Sequence, residues 1–219
     1  MIYRYNGHDF NVEIKKRRQN SLTIRIKTDG TISVNAPYFT TQKAVEKALV
    51  DARPFLDKYL SEYRSDLIHY MGKAYYLHKV VSTKNEVVIL GDDFYIYHKE
   101  KTSPKKVVNE FYKNALKAYL DNHFLEACRE FGIKDIPTIR IRDIKRAYGK
   151  YAKKDNVVTF AIMLAKYEER FIRLTMYHEL THYFCFDHSA NFYALLEEHY
   201  PNSRKTQKEM NKIKYLESY

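Results

Sequence analysis

The residues best suited to chemistry are clustered in one short segment, Tyr177-His-Glu-Leu-Thr-His182. Two histidines four residues apart project from the same face of a helix, so both imidazoles can bind one metal ion. Glu179, between them, lies beside such an ion and can act on a water instead of binding the metal. This His-Glu-x-x-His pattern therefore predicts a metal centre that activates water for hydrolysis.

A third histidine follows six residues after His182. A continuous helix would rotate it by about 600°, away from the first two, so the chain must turn before His188. Asp187 and Ser189 are both good first residues for a further helix, which places His188 in that turn. Three histidines plus water form an open catalytic zinc shell. The sequence favours one Zn²⁺ on His178, His182 and His188, although iron, cobalt or nickel also suit these ligands.

Two acidic residues, Glu197 and Glu198, are an alternative source of the third ligand. Both fall in the helix expected over residues 190–199, where glutamates more often belong to a solvated face. One of them could instead accept a hydrogen bond from a ligand histidine.

The segment from His178 to Pro201 resembles the YgjP-like family of zinc metallopeptidases, which is distantly related to the SprT and WLM groups. The shared features are a His-Glu-Leu-x-His helix, a His-Ser pair five residues later, an aromatic pair, and a proline ending the next helix. Here these are His178–His182, His188-Ser189, Phe192-Tyr193 and Pro201. Arg17-Arg18 before the first hairpin, and Ala36-Pro37 after it, also resemble that family.

The resemblance implies a zincin-like core, with His178, His182 and His188 as metal ligands and Glu179 as catalytic acid/base. Upstream, the family has an Arg-Trp-Gly-Ser-Cys stretch followed by a strand containing an asparagine. This chain has Ala147-Tyr-Gly-Lys-Tyr151 there, with only Gly149 identical, and Ala161 stands in place of the asparagine.

These residues support a hypothesis for the reaction. Zinc lowers the pKa of a water towards about 7, and Glu179 takes its proton and later passes that proton to the leaving nitrogen. A phenol or a cation could help to stabilise the oxyanion. The candidates for such contacts are Tyr148, Tyr151, Tyr183, Tyr193 and Arg146. The strand expected near residues 156–161 could line the cleft and pair with an extended peptide.

A basic stretch precedes the metal segment. Residues 134–154 contain eight lysines and arginines and two aspartates, with Tyr148 and Tyr151 between them. Such a stretch can bind nucleic acid or nucleotides through phosphate contacts and base stacking. The alternative is a strand–loop–strand with a solvated face, which the alternation of Ile139 and Ile141 with Arg140 and Arg142 favours.

The elements that position these residues are read from periodicity. Residues 20–36 are expected to form a hairpin around Asp29-Gly30. A helix from Thr40 or Thr41 to about Tyr63 is divided or kinked at Pro54. Further antiparallel strands are expected over 73–98, strands over 138–145 and 156–164, and helices over 103–131, 168–184, 190–199 and 203–217.

Strands that come first and helices that follow predict an α+β fold. We expect an N-terminal antiparallel β-rich part over residues 1–100 and a metallopeptidase-like core over 101–219, or one continuous domain over 1–219. The 219 residues carry a net charge of +11, with 21 tyrosines and no tryptophan. This charge permits an anionic partner without requiring one. The lack of a long apolar run and the two cysteines suit a cytoplasmic protein without membrane segments.

Three functions remain from the sequence. A zinc-dependent peptidase acting on polypeptides is favoured. The alternatives are a metal-dependent hydrolase of nucleotides or other phosphoanhydrides, and a non-catalytic zinc module that binds nucleic acid. Glu179 argues against the non-catalytic module, because a structural zinc site is closed by a fourth protein ligand and needs no adjacent base.

Overall fold

The structure is a computed structural model that describes residues 1–27, 30–62, 66–144, 147–213 and 215. The chain forms two compact units, Met1–Asp66 with Tyr215–Tyr219, and Leu67–Lys214. The described parts hold three small sheets and six α-helices, which confirms the α+β class. Among these residues, no helix is both long and apolar enough to cross a membrane.

The first unit is a sheet with two helices on one face. Its elements are β1 (Ile2–Tyr5), β2 (His8–Arg17), β3 (Thr23–Ile26), β4 (Ile32–Pro37), α1 (Gln42–Asp51) and α2 (Arg53–Glu62). Thr41 begins α1, and its hydroxyl accepts a hydrogen bond from the N–H of Ala44 at 3.3 Å. The predicted break falls where expected, because Pro54 is the second residue of α2, where its missing N–H costs nothing.

The strand order of this sheet is β1-β2-β4-β3. β3 and β4 pair antiparallel, which confirms the predicted hairpin strands, although Asp29 of its turn lies outside the described residues. However, β2 and β4 are parallel, so the expectation of a wholly antiparallel part was wrong. Ile32, Val34 and Ala36 of β4 are fully buried, and a strand with so apolar a face lies at the centre of the sheet.

The second unit carries the other two sheets and four helices. Its strands are β5 (Leu67–Tyr70), β6 (Lys73–Val81), β7 (Glu86–Leu90), β8 (Asp93–His98), β9 (Thr138–Arg142), β10 (Gly149–Ala152) and β11 (Val157–Ala161). Its helices are α3 (Pro104–Glu130), α4 (Glu169–Thr181), α5 (Ala190–His199) and α6 (Ser203–Lys212).

The sheet β5-β6-β8-β7 repeats the arrangement of the first unit. Each sheet consists of two hairpins whose second strands lie side by side, so β6 and β8 are parallel and not antiparallel as expected. In both sheets the first hairpin turns through two residues of positive φ, Asn6-Gly7 and Met71-Gly72. The physical cause of the parallel pair is the same: Phe94 and Ile96 of β8 are fully buried, so β8 and not β7 takes the central place.

The long helix α3 begins where the sequence predicts. Ser103 accepts a hydrogen bond from the N–H of Lys106, and the helix ends before Gly132, whose φ of +68° allows the chain to leave it. Phe111 of α3 packs edge-on against Phe94 of β8, with ring centroids 5.5 Å apart. Residues 99–103, which connect β8 to α3, therefore lie inside the second unit, between two elements that pack together.

The third sheet has the order β10-β11-β9. β11 pairs with β10 on one side and with β9 on the other, so both of its edges are occupied. The hypothesis that residues 156–161 pair with an extended peptide was therefore wrong. The outer edge on the side of α4, which no described strand covers, belongs instead to β10. Periodicity did not predict this strand, because Gly149-Lys-Tyr-Ala152 lacks alternation.

Candidate metal centre

Helix α4 presents the first two candidate ligands. Its apolar residues Phe171, Ile172, Leu174 and Leu180 are at most 1% exposed, so hydrophobic burial holds the helix in place. His178 and Glu179 lie in its last turn, and His182 is the residue at which it ends. The helix is thus shorter than the predicted span to Phe184.

The chain turns immediately after α4. The N–H groups of Phe184 and Cys185 both bond back to the carbonyl of Thr181, at 3.1 and 3.0 Å. α5 then starts with Ser189 as its first flanking residue, as the sequence predicts. This reversal brings His188 back beside the end of α4.

The three histidines converge. Their candidate ligand nitrogens all lie within 4.8 Å of one another, and Nε2 of His188 is 3.1 Å from Nε2 of His178. Nitrogens about 2.0–2.1 Å from a shared tetrahedral zinc are separated by about 3.3 Å. The donor set and the spacing of this pair therefore fit a single zinc-sized ion.

Hydrogen bonding and burial prepare two of these imidazoles for metal binding. Nδ1 of His182 donates to the backbone carbonyl of Cys185 at 3.0 Å, which leaves its Nε2 free as a ligand. Burial, together with the neighbouring His182 and His188, lowers the pKa of His178 to about 4. His178 is thus neutral at pH 7, the form that a metal requires.

A buried aromatic ring backs the whole cluster. Phe192 of α5 is fully buried, and its ring centroid lies 4.9, 4.7 and 4.8 Å from those of His178, His182 and His188. One ring thus fills the space behind all three imidazoles and limits their rotation.

Replacing Phe192 with leucine is expected to loosen the metal site more than the fold. Leucine keeps an apolar group in the core but no longer contacts three rings, and weakened ligand positioning costs roughly 10–100-fold in metal affinity. Titration with a chromophoric zinc chelator measures this change. Leu196→Met, at another buried position of α5, is the matched control and should leave the affinity unchanged.

Glu179 lies in the wall of the same site, with only 5% of its surface exposed. Burial raises the pKa of its carboxyl group to about 8, while a hydrogen bond from the backbone N–H of Tyr151 acts in the opposite direction. A buried, poorly hydrated carboxyl group holds a proton more tightly than the same group does in water, because burial disfavours its charged form. This raises its strength as a proton acceptor.

Strand β10 passes very close to this carboxylate. A Cβ atom built on Gly149 would lie 2.6 Å from Oε1 and 2.7 Å from Cγ of Glu179. Only glycine therefore permits this approach, which also brings the N–H of Tyr151 to the carboxylate. Gly149 is the one residue of its stretch that is identical to the family pattern.

Glu179 and the histidines open onto a cleft of about 430 Å³. It is lined by Ala147, Tyr148, Gly149, Lys150, Tyr151, Thr175, His178, Glu179, His182, Phe186, His188 and Gln207. Sequence reasoning missed Phe186 and Gln207, which come from the turn and from α6. A larger cleft of about 760 Å³, between α3 and α4, contains none of the three histidines.

The candidate tyrosines separate into two groups. Tyr148 and Tyr151 line the cleft, and their hydroxyls bond to Tyr167 and Asn156, at 3.1 and 3.0 Å. Tyr183 and Tyr193 do not line it. The ring of Tyr193 lies 6.2 Å from that of His188 and under the guanidinium of Arg204, and Tyr183 packs against Tyr151. Arg146 lies outside the described residues.

The alternative acidic ligands are not part of the cluster. The carboxylate of Glu197 accepts hydrogen bonds from the N–H groups of Asn202 and Ser203 and from the hydroxyl of Ser203, which fastens the start of α6. Glu198 is exposed. Among the described residues, the only group of three or more potential metal ligands is the histidine triad.

The basic stretch before the metal segment is solvated. Its described cations, Lys134, Arg140, Arg142, Lys150, Lys153 and Lys154, are all exposed. Along β9, Ile139 and Ile141 turn inward while Arg140 and Arg142 face water, as a half-buried strand requires. Of these cations only Lys150 lines the cleft.

The end of α4 carries two histidines and a buried glutamate, and the chain reversal brings a third histidine beside them. This arrangement is typical of metallopeptidases. Residues 20–213 match the family described as YgjP-like, metallopeptidase domain. The chain belongs to that family, which confirms the resemblance seen in the sequence. It is accordingly a metal-binding hydrolase of the peptidase class.

Comparison with other proteins adds one solved structure. The metallopeptidase zymogen abylysin of Pyrococcus abyssi is similar to the chain with 22% identity and a TM-score of 0.39, over 43% of this chain and 94% of abylysin. No curated protein matches the chain.

Proposed function

We propose that the chain is a zinc-dependent peptidase in which His178, His182 and His188 bind one Zn²⁺ and Glu179 is the general base. The observation that carries this proposal is the buried carboxylate of Glu179 beside three converging imidazoles. Held by these three histidines, Zn²⁺ would supply a Lewis acid for the scissile carbonyl and would lower the pKa of water.

Glu179 is proposed to transfer a proton from the attacking water to the leaving nitrogen. As water attacks the peptide carbonyl, the carboxylate accepts a proton from that water, and it then donates the proton to the leaving amide nitrogen. The first transfer needs the carboxylate form of Glu179 and the second needs its protonated form, so a pKa raised from the acidic range towards neutral pH by burial suits the pair of steps. The N–H of Tyr151 keeps the carboxylate in one orientation through both steps.

The outer edge of β10 is the proposed contact for the substrate main chain. The carbonyl of Tyr148 accepts from the N–H of Ala161 in β11, so Tyr148 and alternate residues after it face β11. Gly149 and Tyr151 therefore direct their backbone groups to the other side. The N–H of Tyr151 bonds to Glu179 there, so the proposed pairing with an extended peptide uses the N–H and carbonyl of Gly149 and the carbonyl of Tyr151. Tyr148 and Tyr151 remain the proposed side-chain contacts around the oxyanion.

The decisive experiment compares substrates side by side. The full-length protein is incubated with quenched fluorogenic peptides and, separately, with nucleoside triphosphates. Peptide cleavage that 1,10-phenanthroline abolishes and Zn²⁺ restores is the expected result, with the nucleotides intact. Cleavage of nucleotides without cleavage of peptides would instead support the phosphoanhydride hydrolase. A cytoplasmic location stays a prediction from the sequence.

A further inference from the structure

The two faces of the sheet β1-β2-β4-β3 differ completely in character. Even-numbered residues such as Phe10, Val12 and Val34 form the core together with Val45 and Leu49 of α1. Odd-numbered residues of β2, β3 and β4 face the other way, and those of β2 and β3 on that face are all exposed. In β1 the order is reversed, because Tyr3 lies beside Phe10 and Arg4 beside Asp9. The first unit thus leaves one sheet face to solvent.

Two ion pairs and three further cations lie on this open face. The carboxylates of Asp9 and Glu13 are neutralised, because Arg4 pairs with Asp9 and Lys27 pairs with Glu13, each at 2.7 Å. Three further cations are Lys15 and Arg17 of β2 and Arg25 of β3. None of these three forms an ion pair with a described carboxylate.

Small polar residues lie between these cations. The strand register places Lys15 beside Asn35, Arg17 beside Pro37, and Arg25 beside Ser33. Since adjacent strands are about 4.8 Å apart and residues rise by about 3.4 Å along a strand, Arg25 lies across β4 from the two cations of β2, about 12 Å from Lys15 and about 17 Å from Arg17 at the backbone. The result is a shallow track with hydrogen-bonding groups in its floor, two cations on its β2 side, and Arg25 on its β3 side, level with the paired carboxylate of Glu13.

Two exposed aromatic residues lie at one end of the track. The parallel register brings Arg17 of β2 level with Pro37 of β4, and Tyr38 and Phe39 follow directly in a turn closed by a hydrogen bond from Thr40 to Pro37. Tyr38 is 58% exposed and Phe39 is 97% exposed. Neither ring packs against another aromatic ring among the described residues.

We propose that this face binds single-stranded nucleic acid, with Lys15, Arg17 and Arg25 on phosphates and with Tyr38 and Phe39 stacking on bases. Cations along a groove together with free aromatic faces are the two components of strand binding without sequence preference. The polar floor of Ser33 and Asn35 favours nucleic acid over a membrane, because a membrane-binding surface needs a broad apolar face. The proposed site belongs to the first unit, and the proposal does not depend on hydrolysis.

Binding is measured by fluorescence anisotropy with the full-length protein and a labelled 15-nucleotide oligo(dT). Three phosphate contacts predict that the logarithm of the association constant falls with the logarithm of salt concentration with a slope of about −2, at about 0.7 per contact. A duplex of the same length should bind more weakly, because its bases cannot stack on the two rings.

Charge reversal gives the sharpest comparison. Lys15→Glu/Arg17→Glu is expected to weaken binding by at least about tenfold and to flatten the salt slope. The matched control is Lys43→Glu/Lys47→Glu, which makes the same change of charge on exposed positions of α1, across the sheet from the track.

Phe39→Ala should weaken binding by about tenfold and leave the salt slope unchanged. Thermal unfolding checks that each variant is folded, and Lys15→Gln/Arg17→Gln is the milder replacement.

Other outcomes would overturn the proposal. Equal losses in the track and α1 variants would show that only net charge attracts the oligonucleotide. Binding to vesicles that contain phosphatidylserine, without binding to oligo(dT), would identify the face as a membrane contact. No salt-sensitive binding at all, or equal affinity for duplex and single strand, would also contradict it.

Discussion

Glu179→Gln is expected to lower kcat/KM for peptide hydrolysis by about 10³-fold while zinc remains bound. The amide has the size of the carboxylate and fits the same buried position, but it cannot accept a proton from water. Since Glu179 is not one of the converging nitrogen ligands, the metal affinity should stay within a few fold of the original. Single-turnover hydrolysis and metal content measured on the same preparation test both parts.

Two comparison variants make this result specific. Glu169→Gln alters an exposed glutamate in the first turn of the same helix and should leave activity unchanged. His178→Ala removes a proposed ligand and should lose both zinc and activity. Hydrolysis by Glu179→Gln at the original rate would contradict the proposed mechanism, whereas loss of zinc from it would mean that Glu179 binds the metal.

Gly149→Ala is expected to lower kcat by about 10²-fold without loss of zinc. The new Cβ would lie 2.6 Å from Oε1 of Glu179, so the carboxylate or the strand must move by a substantial part of an ångström. A displacement of about 1 Å in a catalytic group can cost about 10²-fold in rate. Steady-state kinetics and zinc content of the purified variant are the measurements.

A double-mutant cycle separates this effect from general damage to the fold. If Gly149 acts through Glu179, adding Gly149→Ala to Glu179→Gln should cause little further loss of activity. Full additivity of the two losses would show that Gly149 acts elsewhere. Unfolding midpoints of the single variants report any change in stability.

The helices of the chain were predictable because their signals are local. Thr41, Ser103 and Gly132 are recognisable as ends of helices from their own chemistry, and Pro54 marks a break for the same reason. The hairpin β1–β2 also has a local signal, because Asn6-Gly7 is flanked by alternating apolar residues. This hairpin lies before Ser21, where the predicted strands begin.

Strand partners were less predictable. Alternation shows that a segment is a strand and which side is apolar, but it does not show which strand lies beside it. β4 and β8 take central places because their apolar faces are completely buried, and this makes two parallel pairs where antiparallel ones were expected. β10 gave no periodic signal because its position depends on its contacts with β11 and Glu179.

Local spacing determined the candidate chemistry by itself: two histidines and a glutamate in one helical turn, and a third histidine behind a required reversal. These relations hold within eleven residues, where helix geometry and capping leave few alternatives. The tertiary structure alone decided what surrounds them. Packing between separate elements places Phe192 behind the three imidazoles, Gly149 against Glu179, and β10 at the edge of its sheet. No local pattern in the sequence contains this information.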